Sequence, residues 1–187
     1  ALGTRDLSEL LARVNDELIR SDGRMVTAVC GYADARSYTF TYATAGHPPP
    51  ILFEPGRGAR LLEFGGVPLG VVDGARYGSH TVLTIPGAML VLYTDGAVEH
   101  SRDLLEGERT LLRAVNEAPG QGSEPAQFIR DTIFANRHAA DDVAIVTITF
   151  AEGKHNAGRQ DAEEVTLSAA GPEASPGAIT SIGKRAS

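Results

Sequence analysis

Three acidic residues at two strand ends carry the chemistry open to this chain. The apolar run 89–93 stops at Thr94-Asp95-Gly96, and Asp141-Asp142 opens the run 143–150. A buried strand that ends on Asp-Gly puts a carboxylate at the rim of a core, with a turn behind it. If the two strands are neighbours, their acids meet. At about 4 Å and an effective dielectric near 20, two unneutralised carboxylates repel by roughly 4 kcal/mol. A divalent cation is then the natural partner, and hard oxygen donors suit Mg2+ or Mn2+. Read alone, Asp95 is equally a turn residue that accepts backbone hydrogen bonds, and Asp141-Asp142 equally an acidic cap on a loop. Gly96 is expected to let the backbone turn close to the site.

Such strand ends need a scaffold. Leu7, Leu10, Leu11, Val14 and Leu18 recur at helical spacing, opposite Arg13, Asp16, Glu17 and Arg20. This is an amphipathic helix, ended by Ser21-Asp22-Gly23. From Met25 the period changes: 25–33 and 37–45 are rich in β-branched and aromatic residues, with Asp34-Ala35-Arg36 as a hairpin turn. Gly46-His47-Pro48-Pro49-Pro50 breaks the second strand, Ile51-Leu52-Phe53 starts a third, and Gly56-Arg57-Gly58 turns again. Residues 60–64 read as extended, 65–70 as a loop, 77–85 as a strand, and Pro86-Gly87 leads into the central strand. Helical patterns return over 104–115 and 124–137, the second started by Ser123-Glu124-Pro125. The expected fold class is α+β: an antiparallel β-sandwich flanked by helices. That domain ends at Phe150. Residues 151–187 hold no aromatic side chain and few large apolar ones, the composition of a linker or disordered tail, although Val165-Thr166-Leu167 could begin a strand of a following domain.

A length of 187 residues fits one domain with a tail, and 42% hydrophobic residues suffice for a core. A formal net charge of −7 argues against nucleic acid as a partner, since phosphate contact needs clustered Lys and Arg. It gives no polybasic membrane signal, and no apolar run reaches the length of a membrane span. The start, Ala1-Leu2-Gly3-Thr4-Arg5, has neither the basic end nor the apolar centre of a signal peptide, and without a Met it reads as a fragment of a longer protein. The single cysteine, Cys30, rules out an internal disulfide and suits a cytoplasmic protein. Its apolar surroundings make it a structural thiol rather than a nucleophile.

Several stretches, taken in order, resemble one family. They are Met25-Val26-Thr27-Ala28 after a helix, Ala45-Gly46-His47-Pro48-Pro49 after a strand, and Pro68-Leu69-Gly70. Then come Tyr93-Thr94-Asp95-Gly96 followed by Glu99, and Asp141-Asp142-Val143 before the last strand. The set resembles the metal-dependent protein phosphatases of the protein phosphatase 2C superfamily, in particular the bacterial branch of sporulation stage II protein E and the sigma-factor partner-switching phosphatases. The resemblance runs from residue 5 to residue 150 and covers only the later part of that domain. The family's early Gly-Asp-Val-x-Gly-(His or Lys)-Gly motif, whose Asp bridges two metals, has no counterpart here. Ser21-Asp22-Gly23-Arg24 holds the Asp-Gly pair in the wrong place. Residues 1–150 are therefore expected to be the C-terminal portion of such a domain, incomplete at its N-terminal side and inactive alone.

The resemblance implies that Asp95 and Asp141 are metal ligands, with Gly96 beside them. Asp142, the weaker candidate, would orient its neighbour or the ligated water. It implies two Mg2+ or Mn2+ ions that activate water for in-line attack on phosphorus, with no protein nucleophile. The implied substrate is a phosphorylated anti-sigma-factor antagonist, and the parent chain has room for fused sensor, kinase or antagonist domains. His47, between Gly46 and three prolines, reads as a structural hydrogen-bonding residue. Glu99 matches a family position, though a surface or helix-capping role serves it equally, and His100 follows it. His80, His138 and His155 lack ligand spacing and read as solvated. Gly65-Gly66 and Gly70 read as loop glycines rather than a phosphate cradle. Two other functions fit the same residues: a non-catalytic, phosphatase-like binding module, and an unrelated metal-dependent hydrolase of a small phosphoester.

Overall fold

The computed structural model describes residues 6–21, 23–99, 103–121, 124–135 and 142–151, and the backbone of 165–170. The amphipathic pattern near the start folds as α1 (Leu7–Ser21), with Asp6 Oδ1 accepting hydrogen bonds from the Ser8 and Glu9 N–H groups at its start. Leu7 and Leu11 bury its apolar stripe. The β-branched segments form β1 (Ala28–Asp34), β2 (Thr39–Ala45), β3 (Ile51–Glu54), β4 (Gly58–Leu61), β5 (Ser79–Leu83), β6 (Met89–Tyr93) and β7 (Ile145–Phe150). Between β6 and β7 come α2 (Gly96–Glu99), α3 (Leu104–Glu117), one 3-10 turn (Ala118–Gly120) and α4 (Pro125–Phe134). A last strand, β8 (Val165–Ala170), follows.

All strand pairs within these sheets are antiparallel. One sheet has the order β1-β2-β5 and the other β4-β3-β6-β7-β8. Period-two alternation sorts the side chains into layers. Phe40 and Tyr42 of β2 meet Leu52 of β3, Leu90 of β6 and Phe150 of β7 in a core between the sheets. On the far face of the larger sheet, Ile51, Met89, Val91, Tyr93 and Ile145 pack against Leu111 and Val115 of α3 and Ile129 and Ile133 of α4. On the far face of the smaller sheet, Ala43 and Ala45 receive Leu7 and Leu11 of α1. The order of layers is helix, sheet, sheet, helices, which is the expected α+β sandwich.

Several segments depart from expectation. Residues 151–187 read as linker or tail, yet 165–170 pair along the whole of β7, from Ile145↔Ala170 to Phe150↔Val165. The strand read for a following domain belongs to this one, because β7 offers an open ladder edge that local composition does not announce. The extended segment 60–64 leaves its strand at Leu61; beyond it, the Leu62 N–H donates to the Pro50 carbonyl and the Tyr42 hydroxyl to the Glu63 carbonyl. The turn after Asp95 closes into the short helix α2. The helix expected over 124–137 stops at Phe134, where Ala135 takes a left-handed φ of 38°. Residues 136–137 lie outside the described residues. His80 is not simply solvated: its Nδ1 lies 3.0 Å from Glu63 Oε2, and its ring stacks on Tyr42.

Asn15 is fully buried in α1. Its Nδ2 donates to the Val72 carbonyl at 2.9 Å, and its Oδ1 accepts from the Gly70 N–H at 2.9 Å and the Tyr77 hydroxyl at 3.3 Å. One amide thus binds the long loop before β5 to the first helix. Asn15→Ala would remove these three bonds and leave the buried Tyr77 hydroxyl without this partner, at about 1–3 kcal/mol. The expected outcome is a urea unfolding midpoint lowered by a corresponding amount.

Candidate metal-binding rim and its frame

Three of the sequence motifs meet at one place and serve structure. The Val26 N–H donates to the Leu69 carbonyl at 3.0 Å, and the Leu69 N–H returns a bond to Val26 at 2.8 Å. Gly46, with φ 65°, donates its N–H to the Gly66 carbonyl at 3.1 Å. A Cβ on Gly46 would fall 2.6 Å from Pro68 Cγ, so this corner requires glycine for both conformation and space. His47 is half-buried, and its Nδ1 lies 3.1 Å from the Pro48 carbonyl, the structural bond expected of it. Gly65 and Gly66 are tied to β2: the Thr44 hydroxyl donates to the Gly65 carbonyl and accepts from the Gly65 N–H. Cys30 is half-buried, and its thiol is pushed up by burial, which outweighs a backbone hydrogen bond from Ala43. It stays protonated near neutral pH, as a structural thiol should.

The other two motifs meet at the end of β6. Tyr93 pairs with Ile145 as the last register pair of β6 and β7. Its hydroxyl is pushed well up by burial, with Glu108 adding to the effect, so it holds its proton. Beyond that pair, the Thr94 N–H donates to the Ala144 carbonyl at 3.0 Å. The Thr94 hydroxyl donates to the Asp142 carbonyl at 3.1 Å and accepts from the Ala144 N–H at 3.0 Å. The Gly96 Cα sits against the same segment: a Cβ there would lie 2.7 Å from the Asp142 carbonyl oxygen and 3.2 Å from Val143 Cγ2. Gly96 therefore permits the close approach expected of it.

Asp95 is exposed at this rim. Its Oδ1 accepts from the Gly96 N–H at 3.0 Å, and its Oδ2 has no partner among the described residues. Its backbone carbonyl accepts from the Val98 and Glu99 N–H groups as α2 begins. Glu99 ends that helix, exposed. Asp142 is exposed on the facing segment. The structure thus brings Asp95, Gly96 and the backbone of Asp142 together. Asp141, the other principal candidate, lies outside the described residues, as do His100, His138 and His155. Among the described residues no three His, Cys, Asp or Glu side chains gather as a metal site. The Asp95 carboxylate is a hard oxygen donor of the type Mg2+ and Mn2+ take, and the adjacent Gly96 lies against the Asp142 carbonyl. Thr94 had no role assigned from sequence. The available signal was a hydroxyl residue directly before Asp-Gly at a strand end.

The Stage II sporulation protein E (SpoIIE) family profile matches residues 1–151, so the chain belongs to that family. Among solved structures it is similar to the RsbU and RsbW domains of Rv1364c from Mycobacterium tuberculosis, at 26% identity and a TM-score of 0.65 over 78% of this chain. It spans 42% of the length of that chain. The phosphatase domain of SpoIIE from Bacillus subtilis, presoaked with Mn, matches 83% of this chain and is itself 77% covered, with TM-score 0.55 and 13% identity. RsbX in complex with magnesium matches 76% and is 63% covered, with TM-score 0.55 and 18% identity. The last two likenesses establish a shared fold.

Gly96→Ala tests the close approach at the rim. The added methyl must displace the Asp142 carbonyl or α2, a small-to-large change that costs about 1–3 kcal/mol. A lowered urea midpoint is expected, with amide NMR shifts concentrated at 94–99 and 142–145.

Proposed function

On the premise that the chain belongs to the SpoIIE family, we propose that it is part of a Mg2+- or Mn2+-dependent phosphoserine/phosphothreonine protein phosphatase. The observation that carries this reading is the rim itself, where Thr94 and Gly96 pin the Asp95 turn against the Asp142 segment. In this reading Asp95 and Asp141 hold the cations and Asp142 orients its neighbour. Bound divalent cations supply Lewis acidity for attack of water on phosphorus and offset charge on the phosphoryl oxygens. The chain's own contribution is placement. The Gly96 N–H fixes one oxygen of Asp95, and the residue is exposed at the rim. Tyr93 keeps its proton and closes the core beneath the rim.

The substrate in this reading is a phosphorylated anti-sigma-factor antagonist in a partner-switching pathway. Its support is the family and the RsbU, RsbW and RsbX proteins among the structural relatives. A related protein that holds RsbU and RsbW domains together supports a parent chain with fused sensor, kinase or antagonist modules. The acidic composition and single cysteine support a cytoplasmic protein; no helix among the described residues is long and apolar enough to cross a membrane. One observation favours the alternative of a non-catalytic, phosphatase-like binding module: the sequence holds no counterpart of the family's early Gly-Asp-Val-x-Gly-(His or Lys)-Gly motif.

The full-length protein should hydrolyse an aryl phosphate with Mn2+ or Mg2+ and lose that activity in excess chelator. Asp95→Ala should lower the rate at least about a hundredfold, or roughly 2.7 kcal/mol in barrier. Turnover that persists with chelator present would reject the metal mechanism. A metal-independent affinity for the phosphoprotein, with no turnover, would establish the binding module instead.

A further inference from the structure

We propose that Thr94 is a positioning residue for this site: its hydroxyl sets the spacing between the Asp95 turn and the acidic segment before β7, and through that spacing sets divalent-cation affinity. The inference rests on the metal-dependent reading above. After the pair Tyr93↔Ile145 the two strands part, because β6 turns into α2. In a continued ladder, backbone groups of β6 would serve the segment ahead of β7. The Thr94 carbonyl is instead committed to α2, accepting from the Ala97 N–H at 3.0 Å, and the Asp95 carbonyl accepts from Val98 and Glu99. The Ala144 N–H therefore does not donate to the Thr94 carbonyl, and the Gly96 N–H, which a continued ladder would turn toward the Asp142 carbonyl, donates to Asp95 Oδ1 at 3.0 Å.

The Thr94 hydroxyl bonds both groups. It accepts from the Ala144 N–H at 3.0 Å and donates to the Asp142 carbonyl at 3.1 Å. Only a hydroxyl on a short side chain offers a donor and an acceptor on one atom at this reach. With its single proton given to Asp142, the hydroxyl's orientation is fixed. The Thr94 main-chain N–H, bonded to the Ala144 carbonyl, holds the same segment from the other side. Asp95 follows directly in sequence, and Asp142 carries the bonded carbonyl. The hydroxyl thus acts on the relative placement of the two acidic segments without itself touching a reacting atom.

The test is Mn2+ titration of the full-length protein, with free Mn2+ followed by electron paramagnetic resonance and the urea midpoint measured in parallel. Thr94→Val keeps the shape and removes the hydroxyl; Thr94→Ser keeps the hydroxyl. Thr94→Ala replaces the valine variant should that one fail to fold. The expected result is Mn2+ affinity at least about tenfold weaker in Thr94→Val and within about twofold of wild type in Thr94→Ser, with both variants folded. Affinity in Thr94→Val equal to wild type, while Asp95→Asn abolishes binding, would leave the phosphatase reading intact and overturn the role of Thr94. Equal weakening in the serine and valine variants would also overturn it, since packing of the methyl would then be the cause. Wild-type Mn2+ affinity in Asp95→Asn would instead bring down the metal-site reading itself.

Discussion

Met89–Tyr93 is hydrogen-bonded along both edges, to β3 on one side and β7 on the other, and buried on both faces. Met89, Val91 and Tyr93 face the helical layer, while Leu90 faces the second sheet. A slip of one residue would exchange these faces. Val91 would then move out of the pocket made by Leu111, Val115 and Ile129, and Leu90 would leave Phe40 and Tyr42. Each misplaced large side chain would forfeit about 1.5–3 kcal/mol of burial. The register of β6 is therefore held by the core on two sides, and Asp95 has its place because it follows that strand directly. The position of the candidate site is a consequence of packing several residues away from it.

Much of this was legible in the chain. The period-two runs, the Asp-Gly stop, the two long helices and the proline at the start of α4 are local signals, and local physics decided them. What escaped depended on partners distant in sequence. Helix α2 spans four residues, too few for any apolar period to register. Strand β8 has a composition that reads as tail and is a strand because β7 offers it a ladder. Asn15 looks like one more polar residue on α1 until the loop at 70–77 is seen to wrap it. His80 lacked ligand spacing, and its partner Glu63 comes from a different segment. At the site, Asp95 and Gly96 were readable from type and position. The hydroxyl of Thr94 was not, because its partners at 142 and 144 become neighbours only through the β6–β7 pairing.

The motifs that revealed the family divide by physical role. Gly46 against Pro68, and Val26 against Leu69, are contacts that let two loops and a strand end share one corner. Gly46 admits no larger residue for steric reasons, while Val26 and Leu69 meet through backbone bonds, and neither contact does chemistry. Asp95 and the 141–142 pair are recognisable for a different reason, as acids at the ends of two apolar runs. Sorting the motifs this way removes His47 and the Gly65-Gly66 loop from the candidate chemistry. It leaves the end of β6.

Magnitudes explain why that end needs a frame. Should carboxylates from the two segments approach to about 4 Å, their repulsion would reach roughly 4 kcal/mol at an intermediate dielectric. Opposing it are the bonds of Thr94 to the facing segment: its N–H to Ala144, its hydroxyl to Asp142, and the Ala144 N–H to its hydroxyl. At about 0.5–1.5 kcal/mol net apiece, these bonds are of the same order as the repulsion. The frame can hold the acidic segments near one another, but with little margin in the absence of positive charge. On the proposed reading a cation between them would convert the repulsion into attraction and leave the hydrogen bonds unopposed. In that reading the frame supplies the geometry, and a bound cation would decide how firmly that geometry is held.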